Sequence, residues 1–236
     1  MCFLKDGFLG KKIKSQSNPP TFIDLFAGCG GLSLGLLESG WQGKIVIESC
    51  NHAFSTLKHN LINGHSQSPI NNGFDWPGWL PVEAFEISEF LHSYQSQLRK
   101  YRGKIDLLAG GPPCQGFSFA GRRVEGDPRN ELFRHYIKVV DLIQPKLVLI
   151  ENVEGMKVPH GRREWKENGR RGRPKTSYSD KIFNLLDEHG YEVIQSTVYA
   201  KDFGVPQVRP RFITVGVRRD SKIDKAPDLF QILKMN

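Results

Sequence analysis

The sequence holds only four cysteines, Cys2, Cys29, Cys50 and Cys114, and none of them forms a C-x-x-C pair. No Cys/His spacing suggests zinc, so no metal is expected. Thiols scattered in this way in a chain of 236 residues fit a reducing, cytoplasmic setting and argue against a disulfide framework. No apolar run reaches membrane-spanning length, so no membrane partner is expected. Met1 to Pro20 has no small-residue cleavage pattern and reads as a flexible lead-in, not a signal peptide. No internal repeat is present, which excludes a solenoid. Acidic residues are in deficit. There are 25 Asp and Glu against 33 Lys and Arg, a formal net charge of +8. That balance points to a polyanionic partner.

Six short apolar or β-branched runs read as buried strands: TFIDLFAG, KIVIES, IDLLAGG, KLVLIENV, EVIQSTVYA and RFITVGV. Helical patterns lie between many of them, at Leu32 to Glu38, His52 to Asn60, Glu131 to Ile143 and Ser179 to His189. Continuous apolar strands alternating with helices argue for an α/β fold with a doubly wound, mostly parallel sheet. Residues 63–81 are rich in Asn, Gly, Ser, Pro and Trp and read as an irregular insertion. Residues 156–175 hold eight Lys and Arg against two Glu. This Gly- and Arg-rich stretch, extended to residue 178, reads as a basic loop. It suits phosphate contact or equally a solvated surface.

Four stretches carry chemistry. In FIDLFAGCGGLSLGL a strand runs into Gly28, Gly30 and Gly31 before a helix begins. Such a turn lets backbone approach a ligand closely. Glu48 ends the next run, twenty residues after Gly28, where an acid can accept ribose hydroxyls. The blander reading is a tight turn with a solvated acid. In LLAGGPPCQGFS the two prolines stiffen a turn at the carboxyl end of a strand, where open α/β sheets place ligands. A thiol there reads as a positioned nucleophile, whereas Cys2, Cys29 and Cys50 read as bystanders. In KLVLIENVEGM, Glu151 and Asn152 end another buried run. A carboxyl at that place can donate a proton, although a loop acid or helix cap explains the motif alone equally well. In DFGVPQVRPRFITVGV, Gln207, Arg209 and Arg211 alternate. Alternation predicts three side chains on one strand face, suited to phosphate or base recognition; a solvated strand edge is the alternative.

Taken together and in this order, the FAGxGG loop, the ribose acid, GGPPCQGFS, the ENV triplet and QxRxR resemble the cytosine-C5 DNA methyltransferases, from about Thr21 to Val217. The resemblance implies the Rossmann-like fold of the S-adenosylmethionine-dependent methyltransferases. It implies Cys114 as the nucleophile that adds to C6 of a flipped cytosine, and Glu151 at N3 and the exocyclic amine. It implies Arg211 at the carbonyl O2, with Arg209 nearby. The residues after Cys114 become a loop closing over DNA, with Gln115, Ser118, Arg122 and Arg123, and also Asn152 and Gln207, as DNA contacts. For S-adenosyl-L-methionine, leaving as S-adenosyl-L-homocysteine, it implies Asp24, Phe26, Gly28, Gly30 and Gly31, with Glu48 on the ribose. Glu86 is the best match to an Asp near the adenine amine, and Pro113 and Leu132 line the pocket.

The family continues past QxRxR into a target-recognition domain and a returning helix, and neither is visible here. The implied organisation is a lead-in over 1–20, a catalytic domain over 21–220 and a tail over 221–236. The leading expectation is a catalytic subunit of a DNA cytosine-5 methyltransferase, bacterial in type and belonging to a restriction-modification system. Its partners would be double-stranded DNA and a second subunit carrying recognition and the closing helix, or another copy of itself. A truncated, inactive product competes with that reading. A tRNA cytosine methyltransferase and a non-catalytic binding remnant are the alternatives.

Overall fold

Short β-branched runs bounded by Gly, Pro and charged residues form the strands of one sheet. The computed structural model describes residues 18–63, 73–113, 131–157 and 177–221. The strands are β1 (Thr21–Leu25), β2 (Gln42–Ile47), β3 (Leu107–Gly110), β4 (Leu147–Asn152), β5 (Tyr191–Tyr199) and β6 (Pro210–Arg218). Their order is β2-β1-β3-β4-β6-β5. The pairs β1–β2, β1–β3 and β3–β4 are parallel. β6 is antiparallel to both β4 and β5, so it alone runs against the rest. The expected mostly parallel, doubly wound sheet is therefore present. The helices are α1 (Gly31–Glu38), α2 (Asn51–Leu57), α3 (Ile87–Arg99), α4 (Glu131–Ile143) and α5 (Tyr178–Glu188).

Strand alternation sorts the core into two layers. Ile23 and Leu25 of β1, Leu108 of β3 and Val148 and Ile150 of β4 face α3, α4 and α5, meeting Ile87, Phe90, Leu98, Tyr136, Ile182 and Leu186. Phe22 of β1, Leu107 and Ala109 of β3, and Leu147 and Leu149 of β4 face the other way, toward Leu37 of α1 and Phe54 and Leu57 of α2. Burying each such side chain contributes roughly 1.5–3 kcal/mol.

Three local features differ from the sequence reading. α3 was not anticipated, although Ile87, Phe90, Leu91, Tyr94 and Leu98 recur at helical spacing and face the core. The helix expected to run to Asn60 changes at Lys58 into a π-helical turn that ends at Ile62. The irregular 63–81 stretch, where it is described, is part of the core. Phe74 bridges to Gly43 at the edge of β2, lies edge-on to Phe22, and covers the face where Gly43 has no side chain. Trp76 donates its indole N–H to the Leu80 carbonyl at 2.8 Å. α5 begins as the residue pattern allows: the Ser177 hydroxyl accepts from the Asp180 N–H, and the Asp180 carboxylate accepts from the Ser177 N–H.

Candidate active site

The carboxyl ends of β1, β3 and β4 lie side by side in register, and the site is built there. After β1 the chain turns through three left-handed residues, Phe26 (φ 61°), Gly28 (φ 57°) and Gly30 (φ 90°). A phenylalanine in that region costs about 1–2 kcal/mol, so its surroundings must impose it. A side chain at Gly30 would strike Leu57 and Leu61, whereas the space beside Gly28 and Gly31 is open. Glu48, the first residue past β2, closes the turn. One carboxylate oxygen accepts the Gly28 N–H and the other the Cys50 N–H, both at 2.8 Å. Each oxygen keeps a second lone pair, which suits a hydroxyl donor.

Asp24 is deeper than its expected pocket role requires. It faces α1 and is 1% exposed. One of its oxygens accepts the Ser33 hydroxyl at 2.6 Å, while Oδ1 is buried without a partner. Burial raises its pKa to about 7; the Ser33 hydrogen bond opposes that rise and the Glu48 charge adds to it. Glu86 does not point along the sheet rim. It caps α3, its carboxylate accepting the N–H of Ile87. The neighbouring Phe85 N–H donates to the Glu48 carbonyl at 2.9 Å, so the segment itself lies beside Glu48. Leu132 packs partly buried against the α3–α4 core.

The opposite side of the site is formed by β3, β4 and β6. The double glycine has a steric cause. A Cβ at Gly110 would come within 2.8 Å of the Leu25 carbonyl and 3.1 Å of the Tyr136 ring, and one at Gly111 within 3.3 Å of the Glu151 carboxylate. Glu151 pairs across the sheet with Ile213, which makes Arg211 its diagonal neighbour on the same face. The Arg211 guanidinium forms an ion pair with the Glu151 carboxylate, and its Nη1 also donates to the Pro210 carbonyl. Asn152, on the other face, is buried. Its amide donates to the Pro112 carbonyl at 3.1 Å and its oxygen accepts the Val153 N–H at 2.9 Å. Both ends of that side chain are therefore engaged within the chain, and it steadies the proline turn instead of facing outward. Pro113 is exposed at the end of the described turn. Cys114, Gln115, Ser118, Arg122 and Arg123 lie outside the described residues.

One expectation fails outright. Gln207, Arg209 and Arg211 do not share a strand face, because β6 begins only at Pro210. Pro206 has no N–H to give, and the backbone curls instead, with Gln207 donating to the Val205 carbonyl and Arg209 to the Gln207 carbonyl. Gln207 and Arg209 are exposed on that turn, and Arg211 alone reaches the carboxylate.

The family model for C-5 cytosine-specific DNA methylases matches residues 20–235. The chain belongs to that family. It is 31% identical over 89% of its length to a Type II methyltransferase, M.XorII, of Xanthomonas oryzae pv. oryzae, and 34% identical over 88% to M.Eco47II of Escherichia coli. It covers 43% and 42% of those proteins, so this member of the methylase family spans less than half the length of either. A solved structure described as a prophage-encoded DNA modification methyltransferase from E. coli superposes with a TM-score of 0.62 at 29% identity. That match covers 89% of this chain and 50% of the other. The fold of this methylase family member is therefore similar to that of the solved structure over the part that superposes. Among the described residues of this family member, no group of three or more His, Cys, Asp or Glu could hold a metal ion, and no helix is long and apolar enough to cross a membrane.

Proposed function

We propose that this chain carries the catalytic centre of a DNA cytosine-5 methyltransferase of the restriction-modification type, with S-adenosyl-L-methionine as methyl donor and double-stranded DNA as substrate. The observation that carries the proposal is the Glu151–Arg211 pair set beside the Gly111–Pro113 turn. A nucleophile, an acid and a cation then converge on one ring.

Cytosine C5 is a weak nucleophile, and a thiolate added at C6 gives it carbanion character. In this reading Cys114 forms the C6–S bond while Glu151 supplies a proton to N3. Arg211 holds the Glu151 carboxyl in place and offers its remaining N–H groups to the ring carbonyl. The bound cofactor supplies an electrophilic methyl group. Once C5 carries the methyl group, loss of its proton to a base, departure of the thiolate from C6 and return of the N3 proton to Glu151 restore the aromatic ring and free Cys114. The target base must leave the stack to reach these groups. Asn152 keeps the proline turn, which leads to Cys114 in the sequence, against β4. On the cofactor side, the left-handed backbone at Gly28 and Gly30 and the two free lone pairs of Glu48 fit a nucleoside with a ribose diol. Asp24 supports that loop, and Phe26, Gly31, Pro113 and Leu132 bound the pocket. Glu86 is engaged as the cap of α3 and is assigned no cofactor contact.

Target recognition and the closing helix are proposed to come from a second polypeptide. The sheet supports this reading. Leu149, Val215 and Ile194 are aligned across β4, β6 and β5 on one face, half-buried, and Leu34 of α1 is exposed on the same side. Doubly wound sheets are ordinarily covered on both faces. The experiment is base-resolution conversion sequencing of host DNA, with the chain expressed alone and with its neighbouring reading frame. Methylation that appears only with the neighbour is expected. Its absence in both strains would refute the enzymatic reading.

A further inference from the structure

The cofactor loop is left-handed at Phe26, Gly28 and Gly30, and something beyond the loop must hold that course. Glu48 does part of this from β2 by taking the Gly28 N–H. A second tie is less evident from the sequence. Asp24 stands on β1 two residues before Phe26, and Ser33 is in the first turn of α1 two residues after Gly31. Their side chains meet at 2.6 Å, so one hydrogen bond spans the whole turn from strand to helix. Both residues are buried, Asp24 at 1% exposure and Ser33 at 0%. The second carboxyl oxygen of Asp24 has no partner. A fold seeking stability alone would place two apolar side chains there, because a half-satisfied buried carboxyl is costly.

We propose that Ser33 is a positioning residue for the cofactor: its hydroxyl fixes the Asp24 carboxyl, and this bond holds the Phe26–Gly31 backbone in the shape that receives the ligand. The inference rests on the cofactor reading above and adds a residue to it. The bond is strongest when Asp24 is ionised, since a charged acceptor holds a hydroxyl more tightly than a neutral one. Glu48, from the end of β2, is the other titratable group acting on Asp24, and its charge opposes ionisation. Burial and the Glu48 charge place the Asp24 transition near neutrality. Cofactor affinity should therefore rise from pH 6 to pH 8.

The test is calorimetric titration of the full chain with S-adenosyl-L-homocysteine, alongside thermal melting without ligand. Ser33→Ala should weaken binding about tenfold or more at a temperature where it is fully folded, the scale of a lost hydrogen bond to a charged group. Ser33→Thr, which keeps the hydroxyl, should stay close to the parent. Asp24→Asn should bind with an affinity that no longer changes between pH 6 and pH 8. If Ser33→Ala melts lower but binds within twofold of the parent, the bond is merely structural and the proposal is overturned. If Ser33→Ala does not fold, the Asp24→Asn profile decides, and an unchanged pH dependence overturns the proposal. A parent chain that binds no S-adenosyl-L-homocysteine removes the cofactor reading, and this inference with it.

Discussion

The two halves of the sheet are finished to different degrees. On the β1–β2 side, most polar groups are answered inside the chain: Glu48 takes two backbone N–H groups and one oxygen of Asp24 takes a buried hydroxyl, while its Oδ1 stays unpaired. On the β4–β6 side, Glu151 and Arg211 face a partly open rim. The turn that leads into β6 exposes Phe203, Val205 and Val208, the last at 74%. That turn is nonetheless held by its own backbone bonds, from Gly204 to Lys201 and from Val205 to Ala200. The contrast teaches that the β1–β2 half, proposed to hold the cofactor, is braced largely by the chain itself, whereas the β4–β6 half, proposed to hold the base, leaves its rim open.

The largest expected effect lies on the open half. Glu151→Gln keeps the shape but cannot supply a proton, and methyl transfer should fall by roughly 10²–10⁴-fold. S-adenosyl-L-homocysteine affinity should stay unchanged. A loss of cofactor binding in that variant would break the separation of the two halves. The complementary change is Gly30→Ala. It forces a side chain into a left-handed position against Leu57 and Leu61, and should destabilise the fold by about 1–3 kcal/mol and loosen cofactor binding. Thermal melting and calorimetry read both effects.

Asn152→Ala sharpens the comparison from the other side. It leaves the Pro112 carbonyl without its buried donor, at a cost of about 1–3 kcal/mol. Turnover should fall more than cofactor affinity, because the proline turn belongs to the base half. Single-turnover kinetics with saturating cofactor separates the two.

A smaller effect concerns pH. The Asp24 carboxyl is raised to about 7 in the fold from a usual 3.8. Between those values the folded state holds a proton that the unfolded chain has lost. Its contribution to stability is therefore present below about pH 4 and is lost as pH rises through 7. Melting of the parent should fall across that window, and Asp24→Asn should flatten the dependence. The smallest effect is expected at Val208. Replacement by Ala should leave stability within about 0.5 kcal/mol, since the side chain is mostly in solvent.

Much of this was legible in the sequence, for identifiable reasons. The strands β1 and β3 could be read because they are buried on both faces and appear as continuous apolar runs, and the others because of their β-branched residues. The motif order alone pointed to the family. Gly28 and Gly30 were readable because only glycine enters left-handed turns without strain, and Gly110 because a strand end carrying two glycines signals close approach. What escaped was governed by contacts distant in sequence. Ser33 is an ordinary helix residue until its hydroxyl meets Asp24, nine positions earlier. Asn152 looked like a surface contact because ENV ends a strand, yet its amide turns inward to Pro112, forty positions away. The QxRxR alternation misled because Pro206 precedes it and Pro210 lies within it, and the backbone curls before the strand begins. α3 was obscured because FEISEF resembles a cofactor-binding segment, whereas Glu86 there is a helix cap.

The central claim is that Cys114, Glu151 and Arg211 act on one cytosine. The most direct measurement uses a duplex substituted with 5-fluorocytosine, incubated with cofactor and the chain expressed beside its neighbouring reading frame. Fluorine cannot leave as a proton does, so a thiol bonded to C6 stays bonded. The account predicts a denaturant-resistant protein–DNA adduct with the parent and none with Cys114→Ser. An adduct of equal yield with Cys114→Ser, or none with a parent that still binds the duplex, would contradict it.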